Sequence, residues 1–226
     1  MTKVKARMAG DTRAARITYA VARGALVILS MIWNRLTVEG KENVPATGAF
    51  VLAPVHRSNM DTPYASATTR RRIRYMGKDS LWKRRWAGWV LTAVGGFPVS
   101  RGSLDREAVS RALTVLERGE PVVVFPEGER KSGPLVQPLF EGAAYLAAKA
   151  QVPILPVGIG GSERAMPKGA RWIRPAKVHV VVGEPIAPPT LRAGGRIDRD
   201  ANHAVTEELH ARLQELFDRA QVRVGR

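Results

Sequence analysis

Residues 54–64, PVHRSNMDTPY, place His56 five positions before Asp61, directly after the apolar run AFVLA. A carboxylate on one imidazole nitrogen fixes the tautomer and stabilises the imidazolium. The other nitrogen is then free to take a proton from a hydroxyl. A strand ending in APV and feeding a helix would set His56 in the kind of loop where ligands meet α/β sheets, with Asp61 folding back toward it. Ser58 or Asp61 is expected to cap that helix, and Pro63 is tolerated in its first turn. Ser58 is also a candidate nucleophile, although the capping role suits its position better. An H-x4-D spacing also arises by chance, and taken alone it reads as structural.

Other blocks of the chain change that balance. GGFPVSRG (95–102) carries Arg101 at its end, and VVVFPEGER (122–130) ends a buried strand with Glu127, Gly128, Glu129 and Arg130. VPILPVGI (152–159) is an apolar strand punctuated by proline. With H-x4-D at their head, these four blocks, in this order over residues 36–186, resemble the glycerolipid acyltransferase family, the 1-acylglycerol-3-phosphate (lysophosphatidic acid) O-acyltransferases and their relatives. The resemblance implies that His56 is a general base oriented by Asp61 and acts on a glycerol-backbone hydroxyl that attacks an acyl thioester. It implies that Arg101 and Arg130 hold the acceptor's phosphate, with Lys78 assisting. Arginine suits that task, being permanently charged and able to donate two parallel hydrogen bonds. Gly128 would let the backbone approach the substrate closely, and Glu127 would bond a glycerol hydroxyl or hold Arg130. Two positions depart from the family pattern. Glu129 stands where a threonine is usual, and Phe140-Glu141 stands where many relatives have Phe-Lys, which leaves the acceptor's head group open.

The elements needed to position these residues alternate along the chain. Strands are expected at 36–40, 49–55, 72–78, 96–102, 121–125, 152–159 and 177–183, as apolar or alternating runs bounded by proline and glycine. Helices are expected at 103–119, capped by Ser103 and ended by Gly119, at 139–150 despite Gly142, and at 201–222. Residues 187–200 read as a surface connector. The alternation predicts an α/β fold with a mixed, mostly parallel central sheet flanked by helices. His179 reads as a strand residue, and His203 and His210 share a face of the last helix. No metal site, Walker loop or dinucleotide-binding glycine motif is legible.

Composition bounds the partners. The 226 residues carry a net charge of +16 with pI near 11.1 and no cysteine, so a thiolate nucleophile is excluded and an anionic partner is expected. The N-terminus joins a basic stretch to the apolar run GALVILSMIW, without a good cleavage site and too short to span a bilayer without Arg23. Residues 1–35 are therefore expected to form a membrane-associating helix with Arg13, Arg16 and Arg23 toward lipid headgroups, and 36–226 the acyltransferase domain. The other reading is a buried helix with a solvated basic edge. Trp82, Trp86 and Trp89 fall on one arc of a helix beside Lys83, Arg84 and Arg85, and suit either a membrane interface or packing on the sheet. Expected partners are acyl-CoA or acyl carrier protein as donor, a lysophospholipid as acceptor, and an anionic membrane on the cytoplasmic face. No cofactor beyond the co-substrate is expected. A basic nucleic-acid-binding module is the competing class, and it leaves the four blocks without a role.

Overall fold

The computed structural model describes residues 12–99 and 106–225. Helix α1 (Arg13–Trp33) leads into β1 (Thr37–Glu39), β2 (Val51–Pro54), α2 (Asp61–Ser66) and β3 (Arg74–Lys78). Next come a short 3-10 turn, Asp79–Lys83, α3 (Arg85–Ala93), β4 (Gly96–Val99), α4 (Arg106–Glu117) and β5 (Val122–Val123). The chain continues through α5 (Gly142–Ala150), β6 (Ile154–Gly160), α6 (Ser162–Ala165) and β7 (His179–Val182). A hairpin of β8 (Leu191–Arg192) and β9 (Arg196–Ile197) then precedes α7 (Arg199–Arg223). Strands β1 to β7 form one sheet in the order β1-β7-β6-β2-β5-β3-β4. β6, β2, β5, β3 and β4 run parallel, while β7 is antiparallel to β6 and carries β1 parallel to itself. The sheet is therefore mixed and mostly parallel, as the alternation predicts.

Topology decides where the chemistry sits. The chain steps one way across the sheet through α2 and α3, and back the other way through α4 and α5. Right-handed crossovers place the two pairs of helices on opposite faces. α4, α5 and α7 pack on one another and on one face, and α1 packs against α2 and α3 on the other. The residues that follow β2 and β5 thus emerge side by side at the C-terminal edge of the parallel strands. The apolar strand runs fill the core, with Phe50, Val51, Leu52, Ile154, Leu155 and Val157 fully buried. A Cβ on Gly158 would lie 2.3 Å from the backbone of Leu216, and one on Gly160 would lie 2.3 Å from Ala220, so α7 rests directly on the β6 backbone there.

Several expectations change in detail. The helix at 139–150 begins at Gly142, so the glycine opens it rather than interrupting it. The connector 187–200 holds the β8–β9 hairpin, and Asp198 caps α7 by accepting from the Asp200 N–H. Ser103 lies outside the described residues. Trp82 does not share the helix of Trp86 and Trp89. Trp82 sits in the 3-10 turn, and its Nε1 donates to Thr92 Oγ1 at 3.0 Å, whereas Trp89 is 70% exposed. The arginine run at 70–74 turns largely inward. Arg71 donates to the carbonyls of Pro45, Gly48 and Gly119 and lies over the Phe50 ring, and Arg74 pairs with Glu120.

In α1 the revision is confined to Arg23. The inner face of the helix is Tyr19, Arg23, Val27 and Ser30, and Arg23 Nε donates to the Ser66 carbonyl at 2.9 Å. The Tyr19 hydroxyl accepts from the Ile73 N–H at 3.0 Å. At α1's C-terminal end, Tyr64 donates to Asn34 Oδ1. The outward face is apolar, with Ile17, Val21, Ile28, Leu29 and Ile32 all more than half exposed. Of the three arginines expected toward lipid headgroups, Arg23 turns to the protein, while Arg13 and Arg16 are exposed and the aliphatic side faces the surroundings, as expected of a membrane-associating helix. Arginine is long enough to satisfy the carbonyl that ends α2, and none of the described residues covers the aliphatic stripe.

Candidate active site

β2 ends at Pro54, and the next turns of chain carry His56 across the C-terminal edge. His56 Nδ1 lies 3.0 Å from Asp61 Oδ2. A carboxylate acceptor requires Nδ1 to carry the proton, so Nε2 keeps its lone pair. Asp61 opens α2, but its side chain serves the turn before the helix rather than the helix itself. Oδ2 also accepts from the N–H groups of Arg57 and Ser58, each at 2.6 Å. The H-x4-D spacing thus closes a tight loop around one carboxylate oxygen. Asp61 and Ser58 are fully buried, and the His56 side chain retains 14% exposure.

Ser58 is neither nucleophile nor helix cap. Its hydroxyl donates to the Met166 carbonyl at 2.9 Å and accepts from the Met60 N–H at 3.1 Å, and the N-terminus of α2 has no side-chain cap. A buried hydroxyl occupied in both directions cannot reach a thioester.

β5 delivers the second half of the site. Phe125 stacks on the His56 ring at 3.9 Å between centroids. Glu127 is fully buried. It accepts from the His56 N–H at 2.9 Å through Oε2, from Arg57 Nη1 at 2.7 and 2.8 Å through both oxygens, and from the Gln137 N–H at 3.1 Å through Oε1. Glu127 thus bonds the His56–Arg57 turn and not Arg130, one of its expected partners. Arg57 is the partner that the sequence reading missed. Its guanidinium also donates to the carbonyls of Gly133 and Leu135 and lies 4.9 Å from the Phe217 ring centroid. A buried glutamate needs a buried cation, and Arg57, adjacent to His56 in sequence, was the signal available. The carbonyl of His56 accepts from the Lys131 N–H at 2.8 Å, so His56 is held to the 127–131 turn at both its amide groups.

Gly128 has a left-handed φ of +72°, and a Cβ there would lie 2.6 Å from the Phe140 ring. The space beside its α-carbon is thus filled by Phe140 of the same chain. Arg130 follows at the same edge, partly exposed. Lys78 ends β3 at that edge by register, pairing with Val99. Arg101 lies outside the described residues. The two acidic departures are both partnered. Glu129 pairs with Lys131 Nζ at 3.0 Å, and Glu141 accepts from Asn202 on α7 at 2.9 Å. Glu141 is thus directed to a helix contact, and the charge of Glu129 is offset locally.

A cavity of about 940 Å³ lies between α4 and α5, lined by Met76, Val109, Leu113, Val124, Phe140 and Leu146 among others. Val124 and Phe140 adjoin the residues around His56, since Phe125 stacks on the imidazole and Phe140 covers Gly128. Among the described residues, no group of three or more His, Cys, Asp or Glu side chains is placed to hold a metal ion. His179 is buried in β7 between Thr37 and Glu39, and His210 meets the Val136 carbonyl, so both are structural.

A histidine–carboxylate pair at the C-terminal edge of a mostly parallel sheet, locked to a P-E-G turn, is a hydroxyl-activating arrangement. The chain belongs to the acyltransferase family, whose sequence model matches residues 35–160. It is 29% identical over 206 residues to the 1-acyl-sn-glycerol-3-phosphate acyltransferase of Bacillus subtilis, covering 88% of this chain and 96% of that protein. It is 27% identical to a chloroplastic 1-acyl-sn-glycerol-3-phosphate acyltransferase of Brassica napus over 66% of this chain, and spans 44% of that longer protein. The crystal structure of the 1-acyl-sn-glycerophosphate (LPA) acyltransferase PlsC from Thermotoga maritima superposes with a TM-score of 0.73 at 27% identity, covering 92% of this chain and 83% of that one.

Proposed function

We propose that the chain is a 1-acylglycerol-3-phosphate O-acyltransferase that docks on the cytoplasmic face of a membrane through α1. It moves a fatty acyl group from acyl-CoA or acyl carrier protein to the free hydroxyl of 1-acylglycerol-3-phosphate, forming phosphatidic acid. The observation that carries the chemistry is the 3.0 Å contact of His56 Nδ1 with Asp61, which leaves Nε2 to meet the substrate. Nε2 takes the hydroxyl proton as the oxygen attacks the thioester carbonyl. The tetrahedral intermediate collapses by releasing the thiolate, and His56 returns the proton to it. Asp61 stabilises the imidazolium between those steps. No acyl-enzyme is formed, in keeping with a chain that has no cysteine and a buried, occupied Ser58. Glu127 and Arg57 are positioning residues that fix the backbone of His56.

Arg130, with Arg101 and Lys78, is assigned to the acceptor's phosphate. The cavity between α4 and α5 is assigned to the acyl chain, because it is mostly apolar and borders the residues packed on His56. Residues 1–35 act as the membrane-associating segment and 36–226 as the catalytic domain. The outward aliphatic stripe of α1 supports a helix lying in one leaflet, since its other face is occupied by the protein. The test is an acceptor series with an acyl thioester donor. Arg130→Ala should raise KM for lysophosphatidic acid by about tenfold or more, with donor KM unchanged. A rise in donor KM instead would move Arg130 away from the acceptor.

A further inference from the structure

The segment 166–177, MPKGARWIRPAK, follows α6 and is used neither by the acyl-transfer chemistry nor by the α1 stripe. Trp172 is 83% exposed, the most exposed of the large apolar side chains among the described residues, and Ile173 beside it is exposed as well. Lys168, Arg171, Arg174 and Lys177 are exposed around them, and the segment contains no acidic residue. An indole flanked by cations is the composition of a side chain that sits at the boundary between lipid and water.

The segment is held in place. Trp33 Nε1 donates to the Ile173 carbonyl at 3.1 Å, and Asn34 Nδ2 donates to the carbonyls of Arg174 and Ala176 at 2.9 and 3.2 Å. The Arg174 N–H returns to the Ala165 carbonyl at 2.8 Å. Trp172 is thereby fixed beside the last turn of α1, where Ile32 is 72% exposed. The register carries the placement further. Gly160 at the end of β6 pairs with His179, and His179 pairs with Thr37 just after α1. The C-terminal end of α1 and the Trp172 segment therefore lie at the edge of the sheet on which His56 sits. The contact with the catalytic turn is direct, because Ser58 Oγ donates to the Met166 carbonyl.

We propose that Trp172, Ile173 and the four surrounding cations form a second lipid-contacting element, which inserts into the interface of an anionic bilayer and sets the catalytic edge at the lipid surface. This rests on the reading of α1 as membrane-docked and extends it. A helix lying in a leaflet leaves rotation about its own axis open, and a second contact off that axis removes this freedom. An acidic carrier protein would also answer the positive charge. Continuity with the exposed apolar end of α1 favours lipid, since one flat surface then meets both elements.

The test uses the full chain with vesicles of phosphatidylcholine, alone or mixed with phosphatidylglycerol. Trp172→Ala should lower partitioning to mixed vesicles about tenfold, and Trp172→Phe should recover most of it. Arg171→Gln combined with Arg174→Gln should weaken binding to mixed vesicles and not to phosphatidylcholine alone. Each variant should melt with the wild-type chain, because the altered side chains are exposed. Brominated phosphatidylcholine should quench wild-type tryptophan fluorescence more than that of Trp172→Ala. Ile28→Glu, on the α1 stripe, separates the two readings. Release by Ile28→Glu, with Trp172→Ala unchanged in partitioning and quenching, would overturn this proposal and leave α1 as the anchor. Loss with Trp172→Ala and not with Ile28→Glu would retain the loop and overturn α1. Unchanged vesicle binding with a raised KM for acyl carrier protein would make the segment a protein-docking surface and overturn the lipid assignment.

Discussion

His56 is held by three different constraints: Asp61 on its ring, Phe125 against its face, and the 127–131 turn on its backbone. Removing the imidazole deletes a proton acceptor without opening the core, so His56→Ala should lower kcat by about 10³-fold with the melting temperature unchanged. Glu127 behaves differently, because its partners are Arg57 and two amides. Glu127→Gln leaves the Arg57 guanidinium buried without a counter-charge and should destabilise the fold by about 3 kcal/mol. Among molecules that remain folded, kcat should fall while acceptor KM moves little. A selective rise in acceptor KM would instead mean that Glu127 touches the glycerol. The site was legible to the extent that it is local. H-x4-D closes over five residues, and the chain itself brings the partners together. The Arg57–Glu127 pair joins positions 70 residues apart, and only the parallel pairing of β2 with β5 makes them neighbours. The same limit explains Glu141, whose partner Asn202 comes from the last helix.

At the scale of elements, apolar runs between proline and glycine located the sheet strands, which are buried on both faces at the centre, and one-faced periodicity located the main helices. It could not say which face of α1 meets the protein. An amphipathic helix with arginine on one side and aliphatics on the other is usually oriented with its aliphatics inward, or toward lipid. Here both sides are used, and Arg23 bonding the Ser66 carbonyl decides the orientation. The expected tryptophan arc is broken at Trp82 for a related reason, since the backbone turns between Lys83 and Arg85 and Trp82 packs back on α3 from outside it. Close contact between elements gives a sharp prediction. Gly158→Ala places a methyl 2.3 Å from the α7 backbone and should cost about 3 kcal/mol as α7 is pushed from β6, measured by denaturant unfolding. Gly119→Ala has nothing near its Cβ and separates conformational strain at φ +75° from this collision.

Across the whole molecule, charge and burial give the protein a dependence on pH. Tyr19, Tyr64 and Tyr75 are buried, and burial pushes each phenol above its ordinary value, with the charge of Asp61 adding to the effect at Tyr64. The unfolded chain releases these protons near pH 10, while the folded chain holds them. The folded state thus binds more protons above that pH, and stability falls as pH rises beyond about 10. In alkaline titration, phenolate absorbance from these three side chains should appear together with loss of circular dichroism. Absorbance equivalent to all four tyrosines with the fold intact would contradict the burial described. The net charge of +16 belongs to the same scale, and it suits a protein whose acyl donor and acceptor are both anionic.

The most direct test of the central claim is thiol release from palmitoyl-CoA by the purified chain in anionic vesicles, with and without lysophosphatidic acid, beside His56→Ala. Release that requires lysophosphatidic acid, yields phosphatidic acid and is lost with His56→Ala is the predicted result. Undiminished acceptor-dependent release by a folded His56→Ala protein would contradict the assignment of His56 as the base.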